Sequence, residues 1–410
     1  MSRRLLLSLL LVVGCGASTP APDSGGALRD AGQDAGLDGG PGDRDAGIPD
    51  AGLVDAGLPD AGGLDAGGLD AGAADAGALD AGVSPIEAPA DQWTWVDFPD
   101  SRCASGTPTG IGINPHPGAT ELVIYFEGGG SCRDATSCWG DDPTAANVAG
   151  YDAQTFAAAV QKNYPVLKRS LAANPFAGMS FAYVPYCTGD LHAGTRVVSM
   201  NLPDGGVMPT HFEGALDLDL FLARLVPTFP SVTRVWLLGT SAGGYATFLS
   251  FDRVTHAFGA GVGVDIVDDS GPAISPKNAR DGGIVPPAFS IWGIVPPSGC
   301  TACAGLSDIL RFNLGVQANF SPPGRYAFLS YLQDPVISSD YGYTLDEYAD
   351  EMAAYSASLP ASPAAATFLE SNEQSHVVQG EPGNAPAYLP WLSAMVGRDA
   401  GWSDVSYAHP

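Results

Sequence analysis

The chain has 410 residues, with 18 Lys and Arg against 45 Asp and Glu, and a formal net charge of −27. No basic cluster stands out, so a polyanion such as nucleic acid is not an expected partner. Hydrophobic residues make up 45% of the chain, enough for a large core, but they are spread unevenly along it.

The opening MSRRLLLSLLLVVGC places two arginines before an apolar run, Leu5 to Val13, that ends at Gly14-Cys15. This run is too short to span a bilayer but matches the core of a signal peptide. Val12-Val13-Gly14-Cys15 has the form of a bacterial lipobox. Residues 1–15 are therefore expected to be a lipoprotein signal segment, with Cys15 lipidated and the protein tethered to a membrane outside the cytoplasm. An ordinary signal peptide cleaved near Ala17 is the competing reading. Residues 16–85 form a low-complexity tract with aspartate at every fifth position from Asp50 to Asp80. A period of five matches neither helix nor strand, and repulsion among the aspartates together with abundant glycine favours an extended, solvated linker.

Residues 86–410 have the length and hydrophobicity of one α/β domain. Strand signals occur at Glu121–Phe126, Met179–Val184, Arg234–Leu238, Val262–Val267, Tyr326–Leu332 and Ala364–Leu369. These runs are apolar on both faces, as expected of a mostly parallel sheet covered on both sides. Helical stretches fall between or after them, at Ala153–Lys162, Ala215–Leu225, Ala242–His256, Ser307–Leu314 and Thr344–Ser356. The alternation predicts a doubly wound α/β fold, with the ligand at the carboxyl ends of the strands.

Six cysteines follow Cys15: Cys103, Cys132, Cys138, Cys187, Cys300 and Cys303. An even number in an exported chain reads as three disulfides, with fifteen pairings formally open. The short loops point to Cys132–Cys138 and Cys300–Cys303, which leaves Cys103–Cys187. The Cys300-Thr301-Ala302-Cys303 motif could instead be redox-active or bind zinc. No second pair stands at ligand spacing, so no metal or cofactor is expected.

Gly239-Thr240-Ser241-Ala242-Gly243 follows one strand and opens a helix, the context a nucleophile elbow requires. Its two glycines let the strand and helix backbones approach closely, and Ala242 can offer its N–H to an oxyanion. Glu127-Gly128-Gly129-Gly130 follows an earlier strand and supplies a glycine-rich loop for further donors. Hydrolases of this class order their groups Ser, acid, His along the chain. Of the six histidines, His376 lies after the last expected strand and is the natural base. His256 falls within the helix after the elbow, pointing away. Asp334 ends the penultimate strand and is the preferred acid, with Asp268 and Asp269 as alternatives one strand earlier.

Taken in order, these motifs resemble the pectin acetylesterase/Notum family of carboxylesterases. The resemblance runs from Cys103 through Tyr125–Cys132, Val184–Asp190 and Gly239–Gly244 to Asp334 and Ser375-His376. It implies a Ser241/Asp334/His376 triad, an oxyanion hole from Gly129, Gly130 and Ala242, and a Cys132–Cys138 bridge. A tryptophan frequent in the family just after the glycines is replaced here by Gly130 or Ser131. The expected activity is removal of acetyl or other short acyl groups from carbohydrate. A long-chain deacylase and a catalytically silent binding protein are the alternatives.

Overall fold

The computed structural model describes residues 84–410, except 163, 203, 278–284 and 409–410. The expected signal segment, Cys15 and nearly all of the Asp-Ala-Gly tract lie outside the described residues.

Eleven strands are described: β1 Thr94–Phe98, β2 Thr109–Asn114, β3 Glu121–Phe126, β4 Ser180–Val184, β5 Arg196–Asn201, β6 Val207–Phe212, β7 Arg234–Thr240, β8 Gly263–Asp269, β9 Tyr326–Tyr331, β10 Ala365–Glu370 and β11 Val405–Tyr407. Nine form one sheet in the order β1-β2-β4-β3-β7-β8-β9-β10-β11, while β5 and β6 pair as a separate hairpin. From β4 to β11 the neighbours run parallel, and β2 joins that block antiparallel. The expected mostly parallel sheet is thus present, extended at one edge by β1 and β2.

Strands β7, β8 and β9 are buried along their whole length. This follows from helices on both faces, and it divides the core in two. One cluster includes Leu237, Ile266, Phe328 and Tyr355; the other includes Trp236, Leu238, Val267 and Leu329. Successive residues of one strand alternate between the two clusters, as a period of two dictates. At about 25 cal/mol per Å² of apolar surface, each fully buried Leu or Ile here contributes roughly 1.5–3 kcal/mol.

The stretch expected as one helix from Ala242 to His256 is two, Ala242–Leu249 and Phe251–Phe258, meeting at Ser250. The Asn313 side-chain amide donates to the Phe248 carbonyl at 2.7 Å, so a side chain takes a carbonyl at the joint. His256 sits exposed on the second helix, against Asp252. Among the described residues, no helix is long and apolar enough to cross a membrane.

Candidate active site

The carboxyl ends of β3, β7, β8, β9 and β10 lie side by side, and the loops that leave them build the site. At the end of β7, Ser241 adopts φ 55° and ψ −122°, a conformation that a non-glycine residue holds only under constraint. The constraint is visible. The Ser241 N–H donates to the Asp269 carbonyl at 2.7 Å, and the Ser241 carbonyl accepts from Gly244 and Tyr245 as the next helix begins. A Cβ on Gly239 would lie 2.0 Å from the Gly243 oxygen, and one on Gly243 would lie 2.0 Å from the Phe126 oxygen. Only glycine fits at either position, which is why the motif carries two.

His376 Nε2 lies 2.8 Å from Ser241 Oγ, and His376 Nδ1 lies 2.7 Å from Asp334 Oδ2. Asp334 is fully buried and His376 has 18% of its side chain exposed. The other carboxylate oxygen, Asp334 Oδ1, accepts from the Val336 and Ile337 N–H groups and so caps the helix Pro335–Tyr341. One carboxyl thus anchors a helix with one oxygen and orients an imidazole with the other.

The alternative acids are occupied elsewhere. Asp268 accepts from the Tyr326 hydroxyl at 2.9 Å and the Gly271 N–H at 2.9 Å, and burial raises its pKa well above the ordinary carboxyl range. Asp269 accepts from the Val378 and Gln379 N–H groups at 3.0 and 2.7 Å, and from the Ser270 hydroxyl. Burial pushes the Asp269 carboxyl up to about 6, partly offset by these donors. Sequence reasoning weighed Asp269 only as a rival acid and missed its contact with the loop that carries His376.

The glycine-rich loop leaves β3 beside the serine. A Cβ on Gly128 would lie 3.1 Å from Ser241 Cβ. Gly130 has φ +72°, and a Cβ there would meet the Thr144 carbonyl oxygen at 1.9 Å. The Tyr186 hydroxyl donates to the Gly130 carbonyl, the Glu127 side chain accepts from the Tyr186 N–H, and the Glu127 carbonyl meets His192 Nε2 at 2.9 Å. These bonds, with the Ala146 N–H donating to the Gly129 carbonyl, hold the loop in place. Ala242 opens its helix, so its N–H has no partner within the helix. Sequence reasoning named Glu127 only as the first residue of the glycine loop and gave His192 no role. Burial raises the Glu127 pKa and lowers that of His192 to about 4.

Disulfides join Cys103 to Cys187, Cys132 to Cys138 and Cys300 to Cys303. The first two lie beside the glycine loop, since Cys132 follows it after Ser131 and Cys187 adjoins Tyr186, whose hydroxyl holds the Gly130 carbonyl. Cys300 and Cys303 bond to each other, and among the described residues no group of three or more His, Cys, Asp and Glu is placed to hold a metal.

The fold is α/β-hydrolase-like, and the site has the form that serine hydrolases use. A family model described as Pectinacetylesterase matches residues 93–290. The palmitoleoyl-protein carboxylesterase NOTUM of Drosophila melanogaster is 27% identical over 172 residues, 37% of this chain and 22% of the relative. The palmitoleoyl-protein carboxylesterase NOTUM of Schmidtea mediterranea is 27% identical over 165 residues, 38% of this chain and 29% of the relative. The matched part therefore spans less than a third of either relative. Among solved structures, the Wnt deacylase Notum from Drosophila superposes with a TM-score of 0.51 at 18% identity, covering 70% of this chain and 86% of that one. Residues 93–290 thus resemble the pectinacetylesterase model, and part of the chain is similar to the Notum carboxylesterases. The family match includes Ser241 and the glycine loop but ends before Asp334 and His376, so the placement of acid and base rests on the geometry alone.

Proposed function

We propose that this protein is a serine carboxylesterase in which Ser241 attacks the ester carbonyl, His376 takes its proton and Asp334 holds the imidazole in the required tautomer. The observation that carries the reading is the continuous chain Ser241 Oγ, His376 and Asp334 at 2.8 and 2.7 Å, mounted on the constrained turn at the end of β7. As the tetrahedral intermediate forms, its oxyanion is met by the N–H of Ala242 and those of Gly129 and Gly130, fixed dipoles that need no reorganisation. The intermediate collapses as His376 returns the proton to the leaving alcohol. Water then attacks the acyl-enzyme with His376 as base, releasing the acid and free Ser241.

The substrate we propose is an acetyl or short-acyl ester of a carbohydrate, acted on outside the cytoplasm by a protein anchored through lipid at Cys15. Support for the location comes from the lipobox-like Val12–Cys15 and the long polar tract after it. Support for the acyl group comes from the pectinacetylesterase match. A longer acyl chain is the second reading, favoured by the names of the two similar NOTUM proteins. Hydrolysis of p-nitrophenyl esters from acetate to palmitate, with wild type beside Ser241→Ala, tests both. We expect wild-type turnover that falls with chain length and is abolished in the variant. Turnover that rises with chain length replaces the short-acyl substrate with the long one, and equal turnover in the variant removes the nucleophile.

A further inference from the structure

Asp269 is fully buried at the end of β8, and it touches both halves of the site through different atoms. Its carbonyl accepts from the Ser241 N–H, the residue that carries the nucleophile. Its carboxylate accepts from the N–H groups of Val378 and Gln379, which follow His376 by two and three positions. Three non-glycine residues with positive φ meet around it: Ser241 at 55°, Ser270 at 64° and Val377 at 72°. Val377 is the outlier among them, because a β-branched side chain is the least tolerant of that region. Such a conformation is strained and persists only where the surroundings hold it. The residue between His376 and the two bonded N–H groups is that Val377.

We propose that Asp269 is a positioning residue for the esterase reaction: its carboxylate clamps the strained turn after His376, and its carbonyl fixes the turn of Ser241. Asp269 then bears on the distance from base to nucleophile through its side chain and its own backbone, alongside the bond from Asp334 to His376. This inference rests on the esterase reading above, in which His376 must stand within hydrogen-bond reach of Ser241. Asp269 touches no reacting atom in this account. Without a two-acceptor carboxylate, Val377 is free to relax toward negative φ, and the imidazole, one residue away, swings with it. Asparagine keeps the size but has a single acceptor oxygen, so one of the two N–H groups loses its partner, and the NH₂ group faces donors.

The experiment compares wild type, Asp269→Asn and Ser241→Ala for steady-state hydrolysis of p-nitrophenyl acetate, labelling by a fluorophosphonate, and thermal melting. A displacement of about 1 Å at the base costs on the order of 10²-fold in rate. We expect Asp269→Asn to melt cooperatively, to keep KM within about twofold, and to lose kcat and labelling rate together by about that factor. A folded Asp269→Asn with kcat within twofold of wild type overturns the proposal, as does a loss that falls on KM alone. If the variant does not accumulate as folded protein, amide hydrogen exchange of the wild type decides instead. The Val378 and Gln379 amides must then be protected as strongly as those of β8, and fast exchange at both overturns the clamp. A wild type as inert as Ser241→Ala toward both ester and fluorophosphonate refutes the esterase reading itself, and the clamp is then judged on exchange alone.

Discussion

At the scale of single residues, the site depends on carboxyls that look alike in sequence and differ only in what surrounds them. Asp268 and Asp269 close β8, whereas Asp334 lies beyond the end of β9 at Tyr331, and all three are fully buried. The order Ser, acid, His and the neighbouring strands pointed to Asp334, and its carboxylate stands 2.7 Å from His376 Nδ1. The duty of Asp269 was not legible, since its partners Val378 and Gln379 lie 109 and 110 residues away and only the sheet brings them near. We expect Asp334→Asn to cut kcat by roughly 10⁴-fold through the wrong imidazole tautomer, and Asp268→Asn to cut it far less. Parallel kcat measurements on the two variants check this, and the larger loss in Asp268→Asn would contradict the assignment. Gly243→Ala should also fail, because its Cβ would stand 2.0 Å from the Phe126 oxygen and push the elbow off β3. A stability loss of about 1–3 kcal/mol by urea unfolding, with a larger loss of activity, is the expected outcome.

At the scale of elements, sequence periodicity recovered the central strands because residues buried on both faces leave long apolar runs. The edges were harder to read. In β2, Thr-Gly-Ile-Gly-Ile-Asn is fully buried, yet its glycines lower its strand propensity. Gly112 is needed there because a Cβ would strike the Phe156 ring at 2.1 Å. The hairpin of β5 and β6 leaves Val197 and Val207 exposed and buries only a few apolar residues, Met200 and Phe212 among them, so its core pattern is weak. The helix Pro335–Tyr341 was missed as well, although the Asp-Pro pair before it is a start signal: Asp334 caps it and Pro335 occupies its first position. This gives the helix its own test. Asparagine is a good cap and alanine is not, so Asp334→Ala should melt with about 1 kcal/mol less stability than Asp334→Asn while both are catalytically crippled. Equal stability of the two variants would show that the cap contributes nothing.

At the scale of the whole molecule, the disulfides and a buried histidine govern stability. Cys103–Cys187 closes a separation of 84 residues, tying the segment after β1 to the one after β4. Replacing both cysteines by serine should cost about 2–5 kcal/mol, read as a fall in denaturant midpoint. His192 is buried against the Phe126 and Tyr186 rings, and burial lowers its pKa to about 4. The unfolded chain takes up a proton near pH 6.5, whereas the folded site resists it until about pH 4. Stability from this residue is therefore complete above pH 6.5 and falls as pH drops toward 4, by about 3 kcal/mol in all. Asp269, pushed up to about 6, has the opposite sign: its folded form gains a proton first, so acidification from about 6 to 4 favours the fold. Other buried carboxyls with raised pKa, such as Glu127 and Asp190, share that sign, so the His192 contribution shows only by difference. Compared with wild type, His192→Gln should gain relative stability between pH 6.5 and 4, followed by chemical unfolding at each pH; a difference that does not change with pH would contradict the buried neutral imidazole.

The central claim is that Ser241 is the nucleophile of an esterase, and it is tested most directly by following the covalent bond. Mixing the protein with p-nitrophenyl acetate, quenching in acid and mapping the peptides by mass should find one acetyl group, on Ser241. It should accumulate in His376→Ala far more slowly than in wild type. An acetyl group on another residue, or nitrophenol released by Ser241→Ala at the wild-type rate, would contradict the account.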